Sequence, residues 1–492
     1  MSSRQAELSS YIQERKRKTV SLLPVLHKAK ALYGEIDLEL ERKIAREMEI
    51  PFSRVSAAVT FYSAFNGMDD GDADDRFLKL RENHDQTEWI LNHPEGYLAV
   101  QKVLREQTDV IALLRDAKVC GKSGSGFPVA SKWSLTKDAP GEVKYIICNG
   151  SEGEGNTYKD YLLLYKKPEV VIEGMILCSL MTGIEQGFLY IRAEYQQAME
   201  HVERAIVKAY TLGFLGENIC GSNHNFHLEA VLGGGAYVSG EETGLLQALE
   251  GKRSEPRLKP PYPGISGLYG KPTIVNNAES FAAAASLTIH GAEKFRELGT
   301  ESAGGSKLYT VCGCVKYPGI YEVPHYLTAA ELLETAGGAL PGRSVKGFQI
   351  GGGATGSFGG IGSMDTILDY QSLRSAGLAL GTASIYFIDA DEAVPRLALK
   401  SISFLKDQSC GMCTACRFGL SELTVNLELL CNGLGTQATL NELKELCIYI
   451  EETSRCALGQ AAPTALDTAL REFGKEFEAL CRKEDSYEYY QL

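Results

Sequence analysis

Cys410, Cys413 and Cys416 stand at i, i+3 and i+6 in the stretch SCGMCTACRFG, and Cys456 follows about forty residues later. A short loop with three thiols at this spacing can aim its sulfurs at neighbouring corners of one iron-sulfur cube while a distant segment closes the fourth. Nothing else constrains the fold so sharply, because residue 456 must return to the loop. Zinc is the rival occupant, although four-thiolate zinc sites commonly pair two C-x2-C knuckles rather than one triple. Gly411 and Gly419 let the backbone curl closely, and N-H groups opening the next helix favour negative charge. The spacing predicts an electron carrier with a 4Fe-4S cluster on Cys410, Cys413, Cys416 and Cys456.

The other nine of the thirteen cysteines lie outside this cluster, and Cys178, Cys220, Cys431, Cys447 and Cys481 read as small buried apolar residues. Residues 1–17 are polar and then basic, and no apolar run approaches the ~18 residues of a membrane span. A cytoplasmic protein with reduced thiols is therefore expected. The formal net charge of -13 argues against a nucleic-acid partner. At 492 residues the chain has room for roughly three to four domains.

Residues 1–65 carry helical periodicity, with helices expected over 22–32, 38–48 and 53–62. The acidic run MDDGDADD, residues 68–75, reads as a solvated linker. A helical stretch over 97–114 precedes an alternating region. There, strands over 143–148, 187–191 and 225–232 are each followed by a helix, over 159–181, 195–212 and 241–249. That rhythm belongs to an α/β layered domain, whose ligands sit at the carboxyl ends of strands. Strands over 308–315, 319–323 and 383–388 around one helix at 328–336 read as a small β-grasp-like module. The last hundred residues return to helical periodicity, as in Leu420, Leu423, Leu427 and Leu430.

Four further stretches bear on chemistry. Gly121-Lys122-Ser123-Gly124-Ser125-Gly126-Phe127 with Lys132 offers backbone free to approach a phosphate and a cation to neutralise it. Asn149 to Gly155 places an amide and the carboxylates Glu152 and Glu154 at a strand's carboxyl end. Gly233 to Tyr237, with Gly240, Glu241 and Glu242, again presents acids at the start of a helix. The proline-rich loop around Lys259 and Tyr262 is stiff enough to hold both side chains against a ligand, and Asn276-Asn277 follow. Each stretch alone also fits a solvated turn.

In order, CGKSGSGFPVASKW, CNGSEGEGNTYKDYLLL, GGGAYVSGEETGLLQALEG, PRLKPPYPGISGLYGKPTIVNNAES and SCGMCTACRFG with SRCALG resemble one family over residues 94–482. It is the flavin- and NADH-binding subunit of respiratory complex I, with the diaphorase subunits of NAD-linked hydrogenases and formate dehydrogenases. The resemblance implies FMN bound by Gly121, Lys122, Gly124 and Gly126 of the first loop and by Lys132, Asn149, Glu152, Tyr237, Gly240, Glu241, Asn276 and Asn277. It implies NADH stacked by Phe127 and Tyr262, with Glu154, Glu242 and Lys259 as polar contacts. It also implies hydride transfer between NAD(H) and FMN and single-electron relay through the cluster to a partner redox subunit of formate dehydrogenase, hydrogenase or complex I type. No catalytic side chain is implied, since the hydride moves directly between rings.

Lys122 and Ser123 stand where the family has Arg and Gly, Ser151 where it has Asp, and Leu135 where it has a stacking aromatic. These departures leave NADPH open beside NADH. They also motivate a second reading, a non-catalytic electron-transfer or assembly subunit with a decayed nucleotide site. A zinc-stabilised scaffold is the third. The N-terminal stretches LLPVLHKAKALYGEID and IPFSRVSAAVTFYSAF resemble the helical start of the thioredoxin-like partner subunit, which carries a 2Fe-2S cluster. The first cysteine here is Cys120, so a fused docking segment without a second cluster is expected.

The expected architecture is an α/β multidomain chain. It comprises a helical segment (1–66), an acidic linker (67–92), a Rossmann-like FMN/NADH domain (93–300), a β-grasp-like module of SLBB type (305–390) and a helical 4Fe-4S domain (395–492).

Overall fold

A computed structural model describes residues 3–66 and 89–482; the acidic run and most of the expected linker lie outside the described residues. Helices Ser3–Arg15, Leu22–Tyr33, Leu38–Met48 and Phe52–Phe61 form the N-terminal unit. Asp37 caps the third by accepting from the Leu40 N-H at 2.8 Å. Leu23, Leu26, Ile44 and Val55 of this unit share one core with Phe188, Tyr190, Leu245 and Leu249 of the following domain. The helices therefore cover one face of its sheet and are not a tethered appendage.

That sheet contains β1 (Tyr145–Gly150), β2 (Gln186–Ile191), β3 (His227–Leu232) and β4 (Thr273–Asn277) in the order β3-β2-β1-β4, all parallel. Its second face is covered by helices Pro168–Thr182 and Ala278–His290. The chain winds one way from β1 to β3 and then returns to the other side of β1. The switch point thus falls between β1 and β4, where a crevice opens at the carboxyl ends of strands. Register pairs Cys148 with Asn276 and Asn149 with Asn277 at that crevice.

Two expected helices are each divided. Residues 159–181 form Lys159–Lys166 and Pro168–Thr182, because Pro168 excludes helical backbone at Lys167 (φ -136, ψ 45). Residues 97–114 form Leu98–Glu106 and Val110–Asp116, with Gln107 left-handed and Asp109 capping the second. β4 lies beyond the expected strands, because its five residues between proline-rich and alanine-rich stretches carry no clear period.

The second sheet is mixed, in the order β6-β5-β9-β7-β8: β5 (Ser306–Gly313), β6 (Gly319–Pro324), β7 (Val345–Ile350), β8 (Ser357–Gly360) and β9 (Ser384–Asp389). Its helix Ala329–Thr335 opens on a capping box of Thr328 and Glu331. β7 and β8 are strands beyond the three expected in this module, β8 lying in glycine-rich sequence. Helices Val394–Asp407, Thr414–Cys431, Gln437–Thr453 and Thr464–Glu478 complete the chain around Leu420, Leu423, Leu427 and Leu430. No described helix is long and apolar enough to cross a membrane.

Candidate functional site

A cavity of about 380 Å³ opens at the β1/β4 switch point, between the parallel sheet, the second sheet and the C-terminal helices. It is within the size range of small-cofactor sites. Of the residues singled out from sequence, Gly124, Asn149, Glu152, Glu154, Tyr237, Gly240, Glu241 and Asn277 line it. Ser123, Ser125, Ser151, Lys159, Asp160, Thr355, Thr382 and Leu458 line it as well.

The carboxylates are fixed by backbone donors. Glu152 accepts from the Asp160 and Tyr161 N-H groups, both at 3.0 Å, at the start of helix Lys159–Lys166. Burial, and then the charge of Asp160, push it up to about 7. Glu154 reaches across to the second sheet's loop, accepting from Ala354 N-H at 2.7 Å, Thr355 N-H at 2.9 Å and the Tyr237 hydroxyl. Burial raises its pKa too. Glu241 caps helix Glu242–Leu249 through Thr243 and Gly244 N-H and takes an ion pair from Lys259 at 2.7 Å.

Asn149 donates to Gly240 O at 2.9 Å and accepts from Ser151 N-H at 3.0 Å, so it holds the turn after β1. Asn277 caps helix Ala278–His290, accepts from Lys159 Nζ at 3.0 Å and donates to Asp160 at 2.6 Å.

The remaining expected residues lie behind or beside the lining. Lys122 turns away from the cavity: its fully buried Nζ donates to Ser306 O at 2.9 Å and meets His325 Nε2 at 2.8 Å. Its loop reaches the lining through Ser123, Gly124 and Ser125, while Gly121 and Gly126 shape the turn behind them. Asn276 accepts from the Trp133 indole at 3.1 Å. Lys132 and Lys259 both pair with Glu242, at 3.3 and 2.8 Å. Burial opposes the Glu242 charge, but the two lysines outweigh it and hold the carboxyl below its usual range. Phe127 and Tyr262 are exposed.

The four thiols Cys410, Cys413, Cys416 and Cys456 line a second, enclosed cavity with Val238, Pro256, Met412 and Leu458. Cys413 and Cys456 stand at the N-termini of helices Thr414–Cys431 and Ala457–Ala461. Burial pushes the Cys416 thiol up to about 11 and raises Cys410 and Cys456, against N-H donors from Met412 to Cys410 and from Gly459 and Leu458 to Cys456. Among the described residues no group of three or more His, Cys, Asp or Glu side chains closes on a single metal ion. The thiols meet instead as the lining of this cavity, with backbone donors aimed at sulfur. That donor set fits a thiolate-ligated iron-sulfur cluster.

Leu458 lines both cavities, and consecutive residues Tyr237 and Val238 face one each, as do Ala457 and Cys456. Lys159 and Asp160 carry a sequence signal, an adjacent charged pair opening an apolar helix inside CNGSEGEGNTYKDYLLL. Thr355, Thr382 and Leu458 carry none.

Fold and paired cavities define a dinucleotide-type α/β domain wired to a four-cysteine helical bundle. Family models match accordingly: the Nuo51 FMN-binding domain over residues 114–286, the NADH-ubiquinone oxidoreductase-F iron-sulfur binding region over 396–480, the thioredoxin-like 2Fe-2S ferredoxin over 8–74 and the SLBB domain over 308–357. The second F-type NADH-quinone oxidoreductase subunit of Rhizobium meliloti is 40% identical over 387 residues, 78% of this chain and 92% of that protein. The NADP-reducing hydrogenase component HndC of Solidesulfovibrio fructosivorans is 36% identical over 386 residues, 78% of each chain. A crystal structure of NAD+-reducing NiFe-hydrogenase in the H2-reduced state has the same fold, with a TM-score of 0.83 over 95% of both chains at 24% identity. The chain belongs to the family of F-type NADH-quinone oxidoreductase subunits.

Proposed function

We propose that this chain is the nicotinamide-oxidising or nicotinamide-reducing subunit of a multi-subunit oxidoreductase, with FMN in the larger cavity and a 4Fe-4S cluster in the thiol-lined one. FMN, when bound, supplies the exchange between two-electron hydride transfer and one-electron transfer. The observation that carries this reading is the shared wall: Leu458 lines both cavities, and the neighbours Tyr237 and Val238 are divided between them.

In this reading the Ser123-Gly124-Ser125 backbone takes the flavin phosphate, and Asn149, Glu152, Glu241 and Asn277 orient the polar edges of the flavin. Lys132, Glu242 and Lys259 form a pre-paired polar group joined through Lys259 to the cavity-lining Glu241, and together with the exposed rings of Phe127 and Tyr262 they are assigned to the nicotinamide. Cys410, Cys413, Cys416 and Cys456 hold the cluster. The five units expected from sequence are its proposed domains, and a cysteine-rich chain whose thiols pattern as metal ligands supports a cytoplasmic location. Its partner is an iron-sulfur subunit of hydrogenase, formate dehydrogenase or complex I type.

Anaerobic addition of NADH to protein with full FMN and iron should bleach the flavin and then develop the EPR signal of a reduced cluster. Absence of both with NADH and with NADPH overturns the reading. The decayed-site alternative rests on Ser151, Leu135 and the inward turn of Lys122; it predicts no spectral response of the flavin to millimolar nucleotide.

A further inference from the structure

The N-terminal helices contribute no thiol, the first cysteine being Cys120, yet they grip the loop that leads into the wall between the cavities. Ala64 N-H donates to Gly234 O at 3.1 Å, Ser63 N-H and hydroxyl both reach Gly235 O, and His27 Nε2 stands 2.6 Å from Gly233 O. A Cβ at Gly234 would run into the Tyr62 ring, so only glycine lets the two surfaces close this far.

Tyr62 itself is fully buried, and its hydroxyl goes further. It donates to Lys252 O at 2.6 Å and lies 3.2 Å from Ser254 Oγ, which is 2.7 Å from Ser239 Oγ. Ser254 and Ser239 are also buried. Ser239 belongs to the short helical turn Tyr237–Gly240, whose first residue faces the larger cavity and whose second faces the thiols. Pro256, two residues beyond Ser254, lines the thiol cavity as well. An interface needed only for adhesion is served by the apolar core these helices already share with the sheet. A continuous chain of buried hydroxyls ending on the dividing turn fixes position, because each member loses a partner if the turn shifts.

We propose that Tyr62 is a positioning residue for electron passage, holding through Ser254 and Ser239 the Tyr237–Gly240 turn that separates the two cofactor cavities. This rests on the functional reading above and gives the cysteine-free N-terminal unit a role in it.

The test uses the full-length holoprotein. Tyr62→Phe removes the hydroxyl and keeps the ring. The variant should retain full FMN and iron and bleach with NADH within about twofold of the parent, while cluster reduction in freeze-quenched EPR samples slows about threefold to tenfold, the range one lost buried hydrogen bond spans. Ser239→Ala should also slow cluster reduction. The double variant should be no slower than the slower single, because both changes cut one chain. Parental cluster reduction in Tyr62→Phe overturns the proposal, with or without a lowered melting temperature, and so does slowing that multiplies in the double variant.

Failure of both NADH and NADPH to bleach the parent's flavin sinks only the functional reading. Positioning is then read from the EPR spectrum of the dithionite-reduced cluster, which the Tyr62→Phe change alters if the turn has moved. A spectrum identical to the parent's counts against the proposal.

Discussion

Glu279 and Lys307 lie 2.6 Å apart with both side chains withdrawn from solvent, one from the helix after β4 and the other from β5 of the second sheet. Glu279 also pairs with Lys159 at 3.1 Å and accepts from Leu308 N-H at 2.9 Å. Burial alone would raise its pKa, but Lys307, Lys159 and Lys122 surround it and hold it at about 2. Three ammonium groups share this carboxylate, so burial still brings Lys307 down to about 7. The ionised Glu279 is the member that ties the two sheets to the cavity wall.

Glu279→Gln should therefore destabilise the protein by about 3–5 kcal/mol, the cost of leaving buried charges without their partner. Thermal unfolding of the variant checks this. In the parent, the Glu279 contribution is complete above the unfolded carboxyl value of 4.5 and is lost as pH falls toward about 2. The variant should lack that acid limb.

Glu322 behaves in the opposite sense. It accepts from the N-H groups of Trp89, Ile90 and Leu91 at 3.0–3.1 Å, and burial outweighs these bonds to push it up to about 7. A carboxyl raised on folding binds its proton more tightly in the native state, so its contribution is complete below 4.5 and fades as pH rises through 7. The swing is about 3 kcal/mol, taking 1.36 kcal/mol per unit. Melting temperatures measured from pH 4.5 to 7 should fall in the parent, with a flatter profile in Glu322→Gln.

Gly174 in helix Pro168–Thr182 packs against helix Ala278–His290 so closely that a Cβ would overlap the carbonyl oxygen of Phe281. Alanine gains about 1 kcal/mol of helix propensity over glycine. Separating two buried helices by the width of a methyl costs more, about 1–3 kcal/mol or above. Gly174→Ala should thus lower the melting temperature, contrary to its propensity. An unchanged or raised value would show that the helices can move apart freely.

Cys413→Ser removes one thiol from the enclosed cavity and touches nothing in the larger one. The variant should lose the cluster's EPR signal and most of its iron, keep its flavin, and still bleach with NADH. Loss of flavin bleaching in correctly folded protein would place the cysteines in the first step and not after it.

The two-part chemistry was legible in sequence because it is written locally. Three thiols within seven residues, carboxylates on glycine-rich turns and alternating strand and helix periods depend only on neighbours along the chain. The inward turn of Lys122, the reach of Glu154 to Ala354 and Thr355, and the strand at Thr273–Asn277 were not legible in this way. Each is settled by groups far away in sequence: the His325 and Ser306 partners of Lys122, the second sheet's loop, and the edge of β1.

The sequence by itself determined which thiol, carboxylate, amide and glycine-rich groups this protein presents, and their order. Only the tertiary structure decided that Leu458 stands between the two cavities and that Tyr62 is tied to the dividing turn. The physical reason is that desolvation acts on position in space: a buried donor or acceptor must find a partner wherever the fold brings one, whatever its distance along the chain.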